Sequence, residues 1–428
     1  MSFGGPAGQI AMMHQELVVR RRWISERRFL HALNYCMLLP GPEATQLAVY
    51  IGWMMHRVWG GIVAGVLFVL PSLLLLIGLS WVYLAFGQLP VVAGVLYGIK
   101  PAVTAIVVAA AWRIGARALR NHLLRAMAVV AFVAIFVFDL PFPAIVLGAA
   151  VLGFFGGQFA PQRFAASGGP GENVGSYGPA LIDDATPPPP WAKFSWTRFF
   201  LAVLAGLLLW SSAMTLLLWP GERLAVFADM AGFFTKAALL TFGGAYAVLP
   251  YVYQGGVETY GWLTGPQMID GLALGETTPG PLIMVVAFVG FVGGWTKELF
   301  GPESLFLAGA AGAAVATFFT FLPSFLFILI GGPLVEATHG EIRFTAPLTG
   351  ITAAVVGVIL NLAVFFAWHV LWPKATSSAP FSGGFDWPSL VLGAAAAYAL
   401  MRRKWGVVPV IAAAAAAGLL ISLVRAGF

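Results

Sequence analysis

A Pro-Gly-Pro triplet stands at Pro40-Gly41-Pro42 and again, 239 residues on, at Pro279-Gly280-Pro281. Proline inside a helix removes an amide donor and clashes with the carbonyl four residues back. The first triplet would therefore free the carbonyls of Cys36 and Leu38, and the glycine adds freedom to unwind. A half-helix starting at Pro42 would present the amides of Glu43, Ala44 and Thr45 at its positive dipole end, which suits an anion. Thr45 and Gln46, one turn inside, add neutral hydrogen-bonding groups. The second triplet offers the amides of Leu282, Ile283 and Met284, with the Thr277 and Thr278 hydroxyls just before the break. A plain proline kink is the alternative for either triplet alone; recurrence at equivalent positions favours a binding site.

Ionisable residues within apolar segments are costly and mark functional positions. Lys100, in Gly98-Ile99-Lys100-Pro101, and Lys236 could each supply fixed positive charge to an oxyanion, or else snorkel to an interface. Glu43 and Glu276 flank the two breaks. A carboxylate is a poor anion ligand, but it could carry a proton and couple its movement to substrate; alternatively, Glu43 stabilises a helix N-terminus. Asp270 and His31 are expected near the membrane surface. Phosphate-binding loops, His-Glu-x-x-His helices and paired Cys or His sets with metal spacing are missing from the sequence, so no metal or cofactor is expected. The one cysteine, Cys36, permits no intramolecular disulfide.

The elements that must position these residues are membrane segments. The chain is 60% hydrophobic and 9% charged, with mean hydropathy +0.89. An ordinary soluble domain carries about 25% charged residues. A net charge of +6 reads as topology-setting Arg and Lys in short loops rather than as a nucleic-acid surface. Candidate segments are about 1–13 (partial), 31–56, 58–86, 90–112, 123–138, 141–159, 197–219, 225–253, 266–294, 303–331, 344–371, 388–401 and 405–424. The short first segment leads to the expectation of a missing upstream piece. Residues 160–195 read as a Pro/Gly-rich flexible linker with a stiff polyproline end.

At the offset of 239, Ser2-Phe3-Gly4-Gly5 falls on Thr241-Phe242-Gly243-Gly244 and Trp23 on Trp262. Gly4, Gly5, Gly243 and Gly244 could permit close helix packing or bring backbone amides to a substrate. Further on, at an offset of 252, Leu70-Pro71-Ser72 matches Leu322-Pro323-Ser324 and Gly98-Ile99 matches Gly350-Ile351. The thirteen extra residues of copy two fall in a loop around Thr296–Ser304. The fold expected is an all-α polytopic membrane protein of two homologous multi-helix repeats with helices broken at Pro-Gly-Pro. Its divisions are a first repeat at 1–159, the linker at 160–195, a connecting helix at 196–224 and a second repeat at 225–428. An odd number of segments between the two Phe-Gly-Gly motifs gives the copies inverted topology, a transporter architecture. Loop charge agrees in part: Arg20, Arg21, Arg22, Arg27 and Arg28 have no cationic counterpart in 254–266. By the same count, however, Arg113, Arg117, Arg120 and Arg125 fall on the opposite side from the first cluster, unless one segment is re-entrant.

The residues Ser2-Phe3-Gly4-Gly5-Pro6, Gln9, His14, Trp23, Pro40-Gly41-Pro42 with Thr45-Gln46, and Gly98-Ile99-Lys100-Pro101-Ala102-Val103 resemble the first-domain pattern of the chromate ion transporter family. Thr241-Phe242-Gly243-Gly244 and Thr278-Pro279-Gly280-Pro281-Leu282 resemble its second. The resemblance spans both halves. It implies a multi-pass bacterial inner-membrane protein, not an enzyme, that exports chromate driven by the proton-motive force, with sulfate as a related tetrahedral dianion. Its implied partners are chromate, protons and membrane lipid, with no nucleic acid, and it admits a homo-oligomer. Competing readings are transport of sulfate or another anion and, remotely, an intramembrane enzyme acting on lipid.

Overall fold

Helix starts and stops in this chain follow local chemistry. Ser25 caps α2 (Glu26–Leu38), its hydroxyl accepting from the Arg28 amide at 3.3 Å. Thr264 and Gln267 form a reciprocal capping box at α11 (Gly265–Thr277). Both helices end on a residue held extended before proline, Leu39 (ψ 146°) and Thr278 (ψ 142°). The proline ring disfavours the helical region for the residue ahead of it.

The computed structural model describes residues 5–164, 177–184, 186–187, 189–219, 224–242, 244–338, 345–375, 379 and 381–425, with no strand among them. In chain order, α1 (Gly5–His14) continues as a π-helical turn, Gln15–Arg20, and is followed by α2, α3 (Glu43–Phe86), α4 (Pro90–Ala118), α5 (His122–Phe138) and α6 (Phe142–Phe159). A single turn, α7 (Pro161–Phe164), opens the linker, and α8 (Trp196–Leu218) follows it. The second half comprises α9 (Ala225–Leu240), α10 (Ala245–Tyr253) with a π-turn Gln254–Thr259, α11, a 3-10 turn Leu282–Met284, and α12 (Val285–Thr296). It is completed by α13 (Leu305–Thr338), α14 (Thr345–Leu371), α15 (Trp387–Met401) and α16 (Val407–Arg425). Among the described residues, seven helices are long and apolar enough to cross a membrane. The chain is a multi-pass membrane protein.

The expected segments 31–56, 225–253 and 266–294 are not single spans. Each is two short helices folded back on one another. Tyr35 and Tyr50, on either side of Pro40-Gly41-Pro42, have ring centroids 6.1 Å apart. A straight helix would separate them by about 22 Å at 1.5 Å per residue. A Cβ on Gly275 would lie 3.7 Å from Val285, and the Gly271 backbone packs directly on Phe288, which pairs α11 antiparallel with α12. Phe233 of α9 stacks on Tyr251 of α10 at 4.8 Å, which folds these two helices into a third hairpin. Helix α3 also reverses, at His56 and Arg57, whose backbone is non-helical. Its first arm, 43–55, lies against its second: a Cβ on Gly61 would meet the Val49 carbonyl at 3.1 Å. At about 20 Å, arms of thirteen residues fall short of a bilayer core of about 30 Å. They are re-entrant.

This reversal moves the arginine clusters. The loop at 21–25 lies with the linker: Ile24 bridges Ile182, and the Ser25 hydroxyl donates to Asp184 at 2.6 Å. The α4–α5 turn lies at that end too, since the Asn121 side chain donates to the Arg163 carbonyl at 2.8 Å. Arg20–Arg28 and Arg113–Arg125 therefore share one end, not opposite ends as a count of single spans gave. The other end carries the α5–α6 turn and the 254–264 loop, joined where the Phe142 amide donates to Gln254 at 3.0 Å.

Helix α12 is buried from Val285 to Gly294 on every face, as befits a helix apolar all round. Helix α8 is its opposite: of its side, only Gly206 is buried, against Leu326. The α12–α13 contact is close enough that a Cβ on Gly290 would come within 2.8 Å of Ala316. Small residues allow that approach without a solvent-driven hydrophobic force.

Candidate functional site

The tips of the two Pro-Gly-Pro hairpins each contact the other copy. At the first, the Gly41 amide donates to the Thr241 carbonyl at 2.7 Å, tying the Pro-Gly-Pro turn of copy one to the 241–244 turn of copy two. At the second, the Gln9 side-chain amide donates to the Gly280 carbonyl, tying α1 of copy one to the Pro-Gly-Pro turn of copy two. Gly41 has φ +125° and Gly280 φ +147°, backbone that a residue with a Cβ rarely adopts. Each glycine faces a serine from the other copy. Gly41 lies against Ser324 of α13, and a Cβ on Gly280 would sit 2.6 Å from Cβ of Ser72 in α3. Ser72 and Ser324 are themselves the repeat-related serines of Leu-Pro-Ser, so the two tips are built alike with the copies exchanged.

The distribution of hydrogen bonds defines what this centre can still bind. Gln46 donates to the Pro40 carbonyl at 2.8 Å, and the Gln46 amide closes the first helical bond to the Pro42 carbonyl at 3.0 Å. The amides of Glu43, Ala44 and Thr45 precede that bond, in the turn where a helix leaves its donors without intrahelical partners. The hydroxyls of Thr45, Ser72 and Ser324 are buried and have no hydrogen-bond partner within the protein, and neither do the side-chain carbonyls of Gln9 and Gln46. Buried polar groups are normally satisfied, because leaving one unmade costs about 1–3 kcal/mol. Five such atoms around two facing turns mark a place for a polar ligand.

Several expected site residues take different positions from these. Thr277 and Thr278 spend their hydroxyl hydrogens on the carbonyls of Leu274 and Gly275, at 2.8 and 2.9 Å, and are not free donors. Glu276 is buried and accepts from the Tyr246 hydroxyl. Glu43 is half-buried at the start of α3. Lys100 is paired with Asp270, Nζ to Oδ2 at 3.3 Å, and is not directed at the tips. Asp270, expected near the surface, is only 3% exposed. Lys236 is exposed on α9. Gly244 starts α10 with φ +97°, and Gly5 starts α1. Gly4 and Gly243 lie outside the described residues. Gln9, Ser72 and Ser324 were not picked out as site residues, although the repeated Leu-Pro-Ser carried the signal. No cluster of His, Cys, Asp and Glu able to hold a metal occurs among the described residues.

A cavity of about 510 Å³ opens between α1, its π-turn and the second arm of α3, walled by Gln9, Met12, Glu16, Arg20 and Phe68 among others. It leads from the arginine-bearing end to Gln9 and so toward the second tip. At the other end, Asp386 joins α4 to α16. Burial would raise its carboxyl pKa, but hydrogen bonds from Ser389, Tyr97 and Arg425 hold it below the ordinary range.

A duplicated bundle with re-entrant turns beside buried, unpartnered polar groups has the architecture of a membrane transport protein. The chain belongs to the chromate transporter family, whose profile matches residues 1–154 and 228–419. It is 32% identical over 430 residues to a chromate transport protein of Pseudomonas aeruginosa, covering 98% of this chain and 89% of that one. To a chromate transport protein of Cupriavidus metallidurans it is 30% identical over 368 residues, 86% of this chain and 79% of that one. A probable chromate transport protein of Synechococcus elongatus is 27% identical over 365 residues, 85% and 80% of the two chains. No solved structure matches the chain significantly.

Proposed function

We propose that this protein is a secondary active transporter that exports chromate across the bacterial inner membrane, coupled to the proton-motive force. The dianion binds beside the Pro-Gly-Pro turns, among the buried hydroxyls next to them, and the copies, inverted relative to one another, rock to expose it alternately. The observation that carries this reading is the set of unspent hydroxyls on Thr45, Ser72 and Ser324, beside the first turn of α3, where a helix has no intrahelical partners for its amides. Such donors complement oxyanion oxygens, and the helix dipole adds positive potential. A proton on Glu43 or Glu276 would lower the negative charge near the bound ion, which is how acidic groups beside an anion site contribute to coupling. The chemistry of these donors reads charge and tetrahedral shape, so sulfate competes.

The test is uptake of labelled chromate into inverted vesicles, with and without a pH gradient and with sulfate as competitor. Ser72→Ala and Ser324→Ala remove hydroxyls that bond to nothing in the protein, so each leaves thermal stability within about 1 kcal/mol. Each is expected to raise the KM for chromate on the order of tenfold, the equivalent of one lost charge-assisted bond. Unchanged transport in both variants would move the anion site elsewhere. Uptake unaffected by a pH gradient would remove the proton coupling.

A further inference from the structure

Two clusters, each centred on a buried carboxylate, link the copies on either side of the hairpin tips, and both join an acid, a cation and a tyrosine. At the linker end, Glu336 of α13 pairs with Arg28 of α2, Nη1 to Oε2 at 3.6 Å, and accepts from the Tyr50 hydroxyl. Toward the other end, Asp270 of α11 pairs with Lys100 of α4 and accepts from the Tyr83 hydroxyl at 2.9 Å. In each, copy two supplies the acid while copy one supplies the cation and the tyrosine. Glu336 lies twelve residues beyond Ser324 and Tyr83 eleven beyond Ser72. Along a helix those intervals are about 18 and 16 Å, so the clusters flank the tips at similar depth in opposite directions.

Neither cluster is a product of the duplication. The repeat places Gln267 against Arg28, Val289 against Tyr50, Leu84 against Glu336, Thr352 against Lys100, Val335 against Tyr83 and His31 against Asp270. The same acid–cation–tyrosine set has been assembled twice, from positions where the copies differ.

We infer that the two clusters are the gates of the transport cycle: Arg28–Glu336–Tyr50 closes the linker face and Lys100–Asp270–Tyr83 closes the opposite face. The inference rests on the transport reading above. A buried ion pair tolerates two conditions, closed and paired or open and hydrated, but not separation in a dry interior. That property makes each cluster a two-state element of the kind alternating access requires. Both are paired here. Arg28 also donates to the Thr186 carbonyl, so the linker is fastened to the gate on its own face.

The test places a reporter cysteine at Thr45, buried beside the first tip, in a Cys36→Ala background. A membrane-impermeant maleimide is applied to right-side-out and to inverted vesicles, and chromate flux is measured in parallel on the same gate variants with Thr45 retained. Glu336→Gln is expected to raise the labelling rate on the order of tenfold from the linker face alone, and Asp270→Asn from the opposite face alone. Tyr50→Phe and Tyr83→Phe each remove one hydroxyl and are expected to show the same sidedness more weakly, which covers the case in which a charge variant fails to fold. Labelling that rises from both faces together, or from neither, overturns the gates even where chromate still moves. Sided labelling in a protein that moves no chromate would instead overturn the transport reading.

Discussion

Gly41 and Gly280 hold the two facing turns by doing without a side chain. Each has positive φ, and at each a Cβ would intrude on a serine of the other copy. Gly41→Ala and Gly280→Ala are therefore expected to destabilise the protein by about 1–3 kcal/mol through backbone strain, with steric overlap in addition. Thermal unfolding in detergent gives the first quantity. Pairing Gly41→Ala with Ser324→Gly relieves the closest overlap and leaves the strain and the 2.8 Å approach to the Gln46 side-chain amide, so the double variant should recover part of the loss and no more. Full recovery would show that φ at Gly41 is not strained; no recovery would show that Ser324 is not the neighbour. These residues were legible in the sequence because they repeat. Lys100 was legible as an intramembrane charge, but its partner was not. Asp270 lies 170 positions away in the chain, and no periodicity connects α4 to α11.

Short elements were harder to read than single residues, for a physical reason. An apolar stretch with Pro-Gly-Pro in its middle has the same composition whether the chain continues through the membrane or turns back. Distance from the preceding cap separates the two cases. Ser25 and Thr264 each start a helix of thirteen residues that ends just before the triplet, too short to arrive from the far face. Pairing of the arms supplies the rest, with the bare Gly271 backbone receiving the Phe288 ring. Gly271→Val would wedge the α11–α12 hairpin apart, costing about 1–3 kcal/mol by overpacking a filled interior. Phe288→Ala in the same chain should restore part of that stability although Phe288→Ala alone is destabilising. A melting temperature for the double variant below both singles would mean that these arms do not pack as described. The two copies differ in structure at this point: copy one turns at His56-Arg57, where copy two has a longer connection between α12 and α13.

At the scale of the molecule, re-entrant hairpins turn an apparent conflict of loop charges into an orientation. With α2 and the first arm of α3 returning to the side they entered from, Arg20, Arg21, Arg22, Arg57, Arg117, Arg120 and Arg163 all gather at the linker end. Arg402, Arg403 and Lys404, in the α15–α16 turn, fall at the same end, because α16 runs antiparallel to α4 with Ala414 against Gly98. Among the described residues the other end has Lys297, Lys374 and Arg425 among carboxylates at Asp139, Glu258, Glu298, Glu303 and Asp386. Excess Lys and Arg in short loops marks the cytoplasmic side. By that rule the linker end is expected to face the cytoplasm, together with the 510 Å³ cavity beside Gln9. Single cysteines at the exposed positions Arg120, Lys193, Thr259 and Lys297, in a Cys36→Ala background, test this directly. An impermeant maleimide added to intact spheroplasts should label the cysteines at 259 and 297 and spare those at 120 and 193, and inverted vesicles should reverse the pattern. Labelling of 120 and 259 from one face would separate them from the ends assigned here and restore the single-span count. If instead the whole pattern inverts, the cavity faces outward, and an anion entering by Gln9 would be one taken up rather than expelled.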